Sequence, residues 1–198
     1  MNKYCWVDSE SSFNIPELIK LYNELFSSQE KFSQGDFYSG VGFQGKHIKD
    51  TESAPLSGPL IKGEYYKKLP PKSEYPEIEK EIEKICQRHV DLCVGEYNRI
   101  LDYLEEQGWH TFRARVMTLL PGNPSNWHVD GYDNSMRYHI PLITNEQFYL
   151  QWRDVEGIHS IHIPANGKGY FFRTDIQHQY INRGTEPRIH IVIDIKKK

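Results

Sequence analysis

The spacing of apolar residues changes character once along this chain, from a helical period to a period of two, and the change falls near Trp109. Near the N-terminus, Asn14-Ile15-Pro16 offers a capping side chain and a proline for a first helical turn, and Leu18, Leu21 and Leu25 follow at helical spacing. Residues 28–75 carry no period. Their scattered glycines (35, 40, 42, 45, 58 and 63) and prolines (55, 59, 70 and 71) predict an irregular stretch. A loop of that length is either functional or strand-bearing. From Pro76 the positions Ile78, Ile82, Ile85, Cys93, Ile100 and Leu104 recur at threes, fours and their sums. That predicts a helix or helix pair, with a bend at Gly95 and a stop at Gly108.

Beyond Trp109 the alternation predicts eight short strands: 111–119, 125–130, 136–142, 147–153, 158–163, 170–173, 176–182 and 187–194. The breaks carry turn residues, Pro121-Gly122-Asn123, Asn166-Gly167 and Arg183-Gly184. Strands following helices in this way predict a mainly β fold with flanking α, a closed or sandwiched antiparallel sheet with helices against one side. The chain reads as a single domain over 1–198, with a helical and irregular part at 1–110 and a β core at 111–198.

Charge and composition narrow the function. A net charge of −3 and a pI near 6.3 leave no electrostatic footprint for nucleic acid, and Lys196-Lys197-Lys198 reads as a solvated tail. Cys5, Cys86 and Cys93 form no disulfide framework; Cys86 and Cys93 read as reduced thiols on one buried helical stripe. The N-terminus lacks the apolar run of a signal peptide, and no stretch reaches the roughly 20 apolar residues of a membrane span. The expectation is a soluble, cytoplasmic protein with neither nucleic-acid nor membrane partners.

The chemistry is concentrated in the strand region, which holds six of the nine histidines. In Asn126-Trp-His-Val-Asp130, His128 and Asp130 share one face of a strand. The pattern is weak alone. It gains weight from His178 fifty residues on and Arg188 ten beyond that. Two neutral imidazoles and a carboxylate suit ferrous iron and leave coordination positions open. In Pro187-Arg-Ile-His-Ile-Val-Ile-Asp194, the isoleucines face one way and Arg188, His190, Val192 and Asp194 the other. An inward arginine there either pairs with Asp194 or another acid, or holds the distal carboxylate of a diacid cosubstrate. Arg137 and His139 share a face in Met136-Arg-Tyr-His-Ile-Pro-Leu-Ile-Thr144, and call for a shared anion or for acids supplied from elsewhere. Arg113 and Arg115 share a face with Met117, as substrate-carboxylate ligands or as packed cations. Trp127, Tyr132, Trp152, Tyr170 and Phe172 are candidates to wall a pocket.

The pieces RARVMTLLPG, HVD, RYHIPLIT, HQYIN and PRIHIVID, in that order within 113–194, resemble the aspartyl/asparaginyl β-hydroxylase family of iron(II)- and 2-oxoglutarate-dependent oxygenases. The resemblance implies a double-stranded β-helix core (jelly-roll, cupin-like) packed against N-terminal helices. It implies iron(II), 2-oxoglutarate and O2, with His128, Asp130 and His178 as metal ligands. Arg188 would hold the 2-oxoglutarate 5-carboxylate, with Arg137 and His139 near its other end. Asp130 makes the chain similar to the small bacterial branch, which includes free-proline hydroxylases; some relatives carry glycine there. Residues 1–110 match no motif. The expected reaction is hydroxylation of a C–H bond in an amino acid or an Asp- or Asn-type residue of a peptide, releasing succinate and CO2. The alternatives are a zinc-dependent hydrolase on the same ligands and a non-catalytic cupin-like binding protein.

Overall fold

The computed structural model describes residues 3–27, 32–33, 38–45, 87–88, 90–122, 125–130 and 136–198. The first element is β1 (Cys5–Asp8), followed by α1 (Ile15–Leu21), which runs into a π turn at Tyr22–Phe26. Asn14 caps α1 through its side-chain oxygen, which accepts from the Glu17 N–H, and Pro16 occupies the first turn. Short strands β2 (Phe32–Ser33), β3 (Tyr38–Gly42) and β4 (Gln44–Gly45) come from the irregular region, whereas β5 (Gln87–Arg88) and the turn at 90–93, Cys93 included, interrupt the run expected to be helical from Pro76, because β5 pairs with β4. The long loop is thus strand-bearing where it is described.

Helix α2 spans Gly95–Glu106. Gly95, with φ +52°, starts this helix and does not bend one, because Val94 before it is extended. Gly108, at φ +78°, ends it as expected. The Pro76–Cys86 part of the predicted helical pattern, including Cys86, lies outside the described residues. Tyr97, Ile100, Leu101 and Leu104 form the buried face of α2.

The strand half follows the alternation closely: β6 (Trp109–Leu119), β7 (Met136–Ile143), β8 (Phe148–Asp154), β9 (Gly157–Ile161), β10 (Gly169–Arg173), β11 (His178–Asn182) and β12 (Arg188–Lys197). A seven-stranded sheet runs β1-β10-β7-β12-β6-β3-β2, and a three-stranded sheet runs β11-β8-β9. Every pairing is antiparallel. These are the two faces of a jelly-roll. Residues 125–130 form no strand of their own, contrary to expectation; they meet β11 by a single bridge, His128 to His178, with Ser125 donating to the Tyr180 carbonyl. The terminal lysines are exposed, as expected of a solvated tail, but two of them are ordered in a strand. Lys196 and Lys197 extend β12 opposite His110 and Trp109, and the Lys197 ammonium lies 4.2 Å from the Trp109 ring centre.

The two faces of the large sheet do different work. Ile189, Ile191, Ile193 and Ile195 of β12 join Val116, Tyr138, Ile140 and the helices in the larger hydrophobic core. The opposite face meets the small sheet over a second core of Leu119, Phe148, Leu150, Trp152, Tyr170, Phe172 and Tyr180. No helix among the described residues is long and apolar enough to cross a membrane.

The seating of β7 depends on one close approach. Tyr138 lies across Gly169 with its hydroxyl bonded to Asp8, and the ring is fully buried against Phe171. A Cβ at residue 169 would stand 1.8 Å from the Tyr138 hydroxyl oxygen and 1.9 Å from the ring carbon bearing it. Gly169→Ala should therefore destabilise the protein by about 1–3 kcal/mol through overpacking. Urea unfolding measures this, and a loss below about 0.5 kcal/mol would show that the ring shifts freely.

Candidate metal centre and its buried charge cluster

His128 and His178 face each other because their backbones pair, His128 N–H to the His178 carbonyl (3.0 Å) and the reverse (2.9 Å). Their ring centres are 4.4 Å apart. Each ring is fixed by the same local contact, Nδ1 against the carbonyl two residues earlier: Asn126 O at 2.6 Å and Ile176 O at 2.8 Å. A carbonyl only accepts, so both Nδ1 atoms carry hydrogen, and both Nε2 atoms are turned to Asp130. Asp130 Oδ2 stands 3.3 Å from His128 Nε2 and 3.5 Å from His178 Nε2. The Asp130 backbone N–H is tied to the Thr174 carbonyl at 2.9 Å. All three donor atoms lie within 4.8 Å of one another.

This donor set fits a divalent cation. Two imidazole nitrogens and one carboxylate oxygen converge from one side, with tautomers already set by backbone acceptors. Burial opposes protonation of His128, but the Asp130 hydrogen bond and charge outweigh it and raise its pKa; burial wins at His178, whose pKa is lowered. A metal would displace such a proton.

Beside the triad lies a buried ionic cluster. Asp194 of β12 accepts from Arg137 Nε at 2.8 Å on β7, and pairs with Arg113 (2.8 Å) and Arg115 (3.4 Å) on β6. Burial alone would raise the Asp194 pKa; the guanidinium groups of Arg113, Arg115 and Arg137 overcome it and hold the carboxyl far below its usual range. Arg137 also binds Asp130 Oδ2 through Nη1. A β-bulge makes this possible. The β6–β12 register shifts between Val192 and Asp194, and Arg113 takes a left-handed conformation, φ 54°. For a residue with a side chain that conformation costs roughly 1–2 kcal/mol. Burial lowers the Arg113 pKa to about 10, against the opposing pull of Asp194.

Deeper in the interior, the Arg188 guanidinium is fully buried between aromatic faces, 4.6 Å from the Phe148 ring centre and 5.4 Å from that of Tyr180. Asp194, six residues away on the same strand, is not its partner. His139 and His190 are also buried, 6.1 Å apart between ring centres. Neither ring has a hydrogen-bond partner among the described residues. Burial first, and the Arg188 charge second, push both imidazoles well below the usual pKa, so both are neutral.

The sequence-predicted residues therefore separate by surroundings. His128, Asp130 and His178 converge. Arg188 and His139 line one interior. Arg137 shares the inward face with His139 and is bonded to Asp130 and Asp194, so of the two readings the sequence left open it shows acids supplied from elsewhere. Arg113 and Arg115 are packed cations. Phe172 lies 5.2 Å from His178, and Trp152 and Tyr170 join the same inner core. Trp127 lies under the Arg153 guanidinium; Tyr132 is outside the described residues. Asp194 as the hub of three arginines, and Tyr180 and Phe148 beside Arg188, were missed, although the alternation of β12 does place Asp194 inward. A second cluster, Asp154, Glu156 and His159, belongs to the β8–β9 turn, where Asp154 accepts from the Glu156 N–H and pairs with His159.

A family model for aspartyl/asparaginyl beta-hydroxylases matches residues 80–198, well over half of the chain. The chain belongs to that family. No curated protein sequence matches it at a significant level. Among solved structures, an oxidoreductase of the 2OG-Fe(II) oxygenase family from Burkholderia pseudomallei superposes with TM-score 0.51 at 11% identity, covering 93% of this chain and 78% of that one. A prolyl-4-hydroxylase from Pseudomonas putida superposes with TM-score 0.50 at 10% identity, covering 99% of this chain and 94% of that one. At these identities the likeness is one of fold, and it agrees with the jelly-roll topology of this hydroxylase-family member.

The ionic cluster makes a testable claim about acid stability. A carboxyl whose pKa is depressed by folding contributes stability above its unfolded value, near 3.9, and loses it as pH falls toward the folded value. Asp194→Asn removes the anion that three buried cations share and should cost about 3–5 kcal/mol near neutral pH. The gap from wild type should narrow as pH falls below about 4. Urea unfolding at pH 7, 5, 4 and 3 reads this directly; a gap independent of pH would mean that the Asp194 charge is not what holds the arginines.

Proposed function

We propose that the protein is an iron(II)- and 2-oxoglutarate-dependent dioxygenase that hydroxylates a C–H bond of an amino acid or of an Asp- or Asn-type residue in a peptide. The overall balance is substrate C–H, O2 and 2-oxoglutarate giving C–OH, succinate and CO2. The observation that carries the reading is the pairing of two features in one interior: a pre-set His128/Asp130/His178 donor triad and the buried cation of Arg188 on the neighbouring strand face. A zinc hydrolase needs the first but has no use for the second.

His128 and His178 would hold the metal through Nε2, each oriented by its Nδ1–H to a backbone carbonyl. Asp130 would supply the anionic ligand, steered by Arg137 and its own backbone bond to Thr174. Bound iron supplies the oxidative chemistry, coupling reduction of O2 to decarboxylation of the 2-oxo acid. Arg188, stacked on Phe148 and Tyr180, would take the distal carboxylate of the cosubstrate. His139, uncharged and unbonded among the described residues, is available to donate a ring N–H toward the end nearer the metal. Residues of the inner core, Phe172 and Tyr180 among them, exclude water from this chamber.

Anaerobic reconstitution tests the reading. With iron(II) present, 2-oxoglutarate at about 100 times its dissociation constant should add roughly 2.7 kcal/mol to stability, a shift of several degrees in Tm. Glutarate, which lacks the keto oxygen, should protect far less. His178→Ala should abolish both iron binding and the shift. Arg188→Met should keep iron but weaken 2-oxoglutarate binding by about 2–5 kcal/mol. A mass-spectrometric search for +16 Da products among free amino acids and Asp- or Asn-bearing peptides then identifies the substrate. Equal protection by zinc alone, indifferent to 2-oxoglutarate, would favour the hydrolase.

A further inference from the structure

His190 has no role in the assignments above, yet it is among the most completely buried polar residues of the protein, at 0% exposure. It follows Arg188 by two residues on β12, so its side chain shares the inward face. Two residues along a strand are about 7 Å. That step leads from Arg188 toward Asp194 and the triad, since Asp194 marks the metal end of β12 through Arg137 and Asp130. The imidazole therefore sits between the distal cation and the metal end. Its ring centre is 5.1 Å from that of Phe148, the same ring that supports Arg188. Opposite it stands Pro141, which has no N–H to offer, at the point where the β7–β12 register shifts.

Both ring nitrogens of His190 lack a hydrogen-bond partner among the described residues. In a dry interior that arrangement is unfavourable, and a leucine of similar size would fill the space without the penalty. Burial and the Arg188 charge keep the ring uncharged, so it offers one N–H donor and no second cation. We propose that His190 is a binding residue of the diacid subsite, its ring N–H donating to the cosubstrate's distal carboxylate beside Arg188. The assignment rests on the functional reading above, and it explains a buried polar group that the fold does not need.

The test uses the full-length protein as wild type, His190→Leu and His190→Gln. Thermal unfolding is measured without metal. Calorimetric titration is measured anaerobically with iron(II), against 2-oxoglutarate and against oxalate, which chelates a metal but has no distal carboxylate. His190→Leu should unfold at or above the wild-type temperature and bind 2-oxoglutarate about tenfold more weakly, a change of about 1.4 kcal/mol. Its oxalate affinity should be unchanged. His190→Gln, which keeps an N–H donor, should recover part of the loss. Unchanged 2-oxoglutarate affinity in the leucine variant would overturn the assignment, as would an equal loss for oxalate. Should leucine prevent folding, His190→Met, a more adaptable apolar side chain, gives the same readings. Failure of iron-loaded wild type to bind 2-oxoglutarate at all would overturn the functional reading itself and this assignment with it, an outcome distinct from failure in the variants alone.

Discussion

One carboxylate, Asp194, ties together the three strands on which the candidate site depends. It lies on β12, between β7 and β6 in the large sheet, and takes Arg137 from one neighbour and Arg113 and Arg115 from the other. Buried charges of one sign repel, and each is costly to desolvate, so these arginines are tolerable only around a shared anion. The consequence reaches the candidate metal triad. Arg137 is held at one end by Asp194 and at the other meets Asp130, so the cluster sets where the carboxylate ligand stands. The bulge and the left-handed Arg113 are the backbone distortions that let β6 contribute two cations at this point.

The large sheet separates stability from chemistry by the simplest available device, the alternation of a strand. Along β12 the isoleucines enter the core under the helices, while Arg188, His190, Val192 and Asp194 enter the space between the sheets. A slip of one residue would exchange the two sets, placing an arginine and a histidine under the helices. Register is therefore fixed by the cost of both errors at once. Tyr138 reinforces it on β7, since its ring fits only over Gly169, and that seating places Arg137 and His139 on the inner side.

Much of this was legible in the sequence because period-two patterning states directly which residues share a face. The strand half was read almost element by element, and His128, Asp130 and His178 were brought to one point by spacing and resemblance together. What a face does not state is the partner across the strand. Arg137 and His139 were grouped because they share a face, but register gives Arg137 the Asp194 opposite it on β12 and gives His139 Val192 there and Tyr170 on β10, neither of them an acid. The bulge at Arg113 left no mark in residue types, since an arginine in a left-handed conformation carries no glycine to announce it. The bend expected at Gly95 became a helix start for a related reason: a helical period continues in sequence through a break that only the backbone angles reveal.

The interior that results differs in kind at its two ends. Toward the candidate metal triad, Asp130 and Asp194 face the guanidinium groups of Arg113, Arg115 and Arg137. Toward Arg188 the polar groups are cushioned by aromatic rings, and two neutral imidazoles, His139 and His190, present ring nitrogens with no partner among the described residues. A fold optimised only for stability would replace such rings with aliphatic side chains of similar volume. Their retention makes sense if the interaction that satisfies them comes from a bound diacid, with Arg188 supplying charge and the imidazoles supplying direction without adding to it. The order of polar groups along β12, cation, neutral donor and then the carboxylate that anchors the ligand cluster, matches the order of groups on such a ligand, whose distal carboxylate needs a cation and whose chelating end needs the metal.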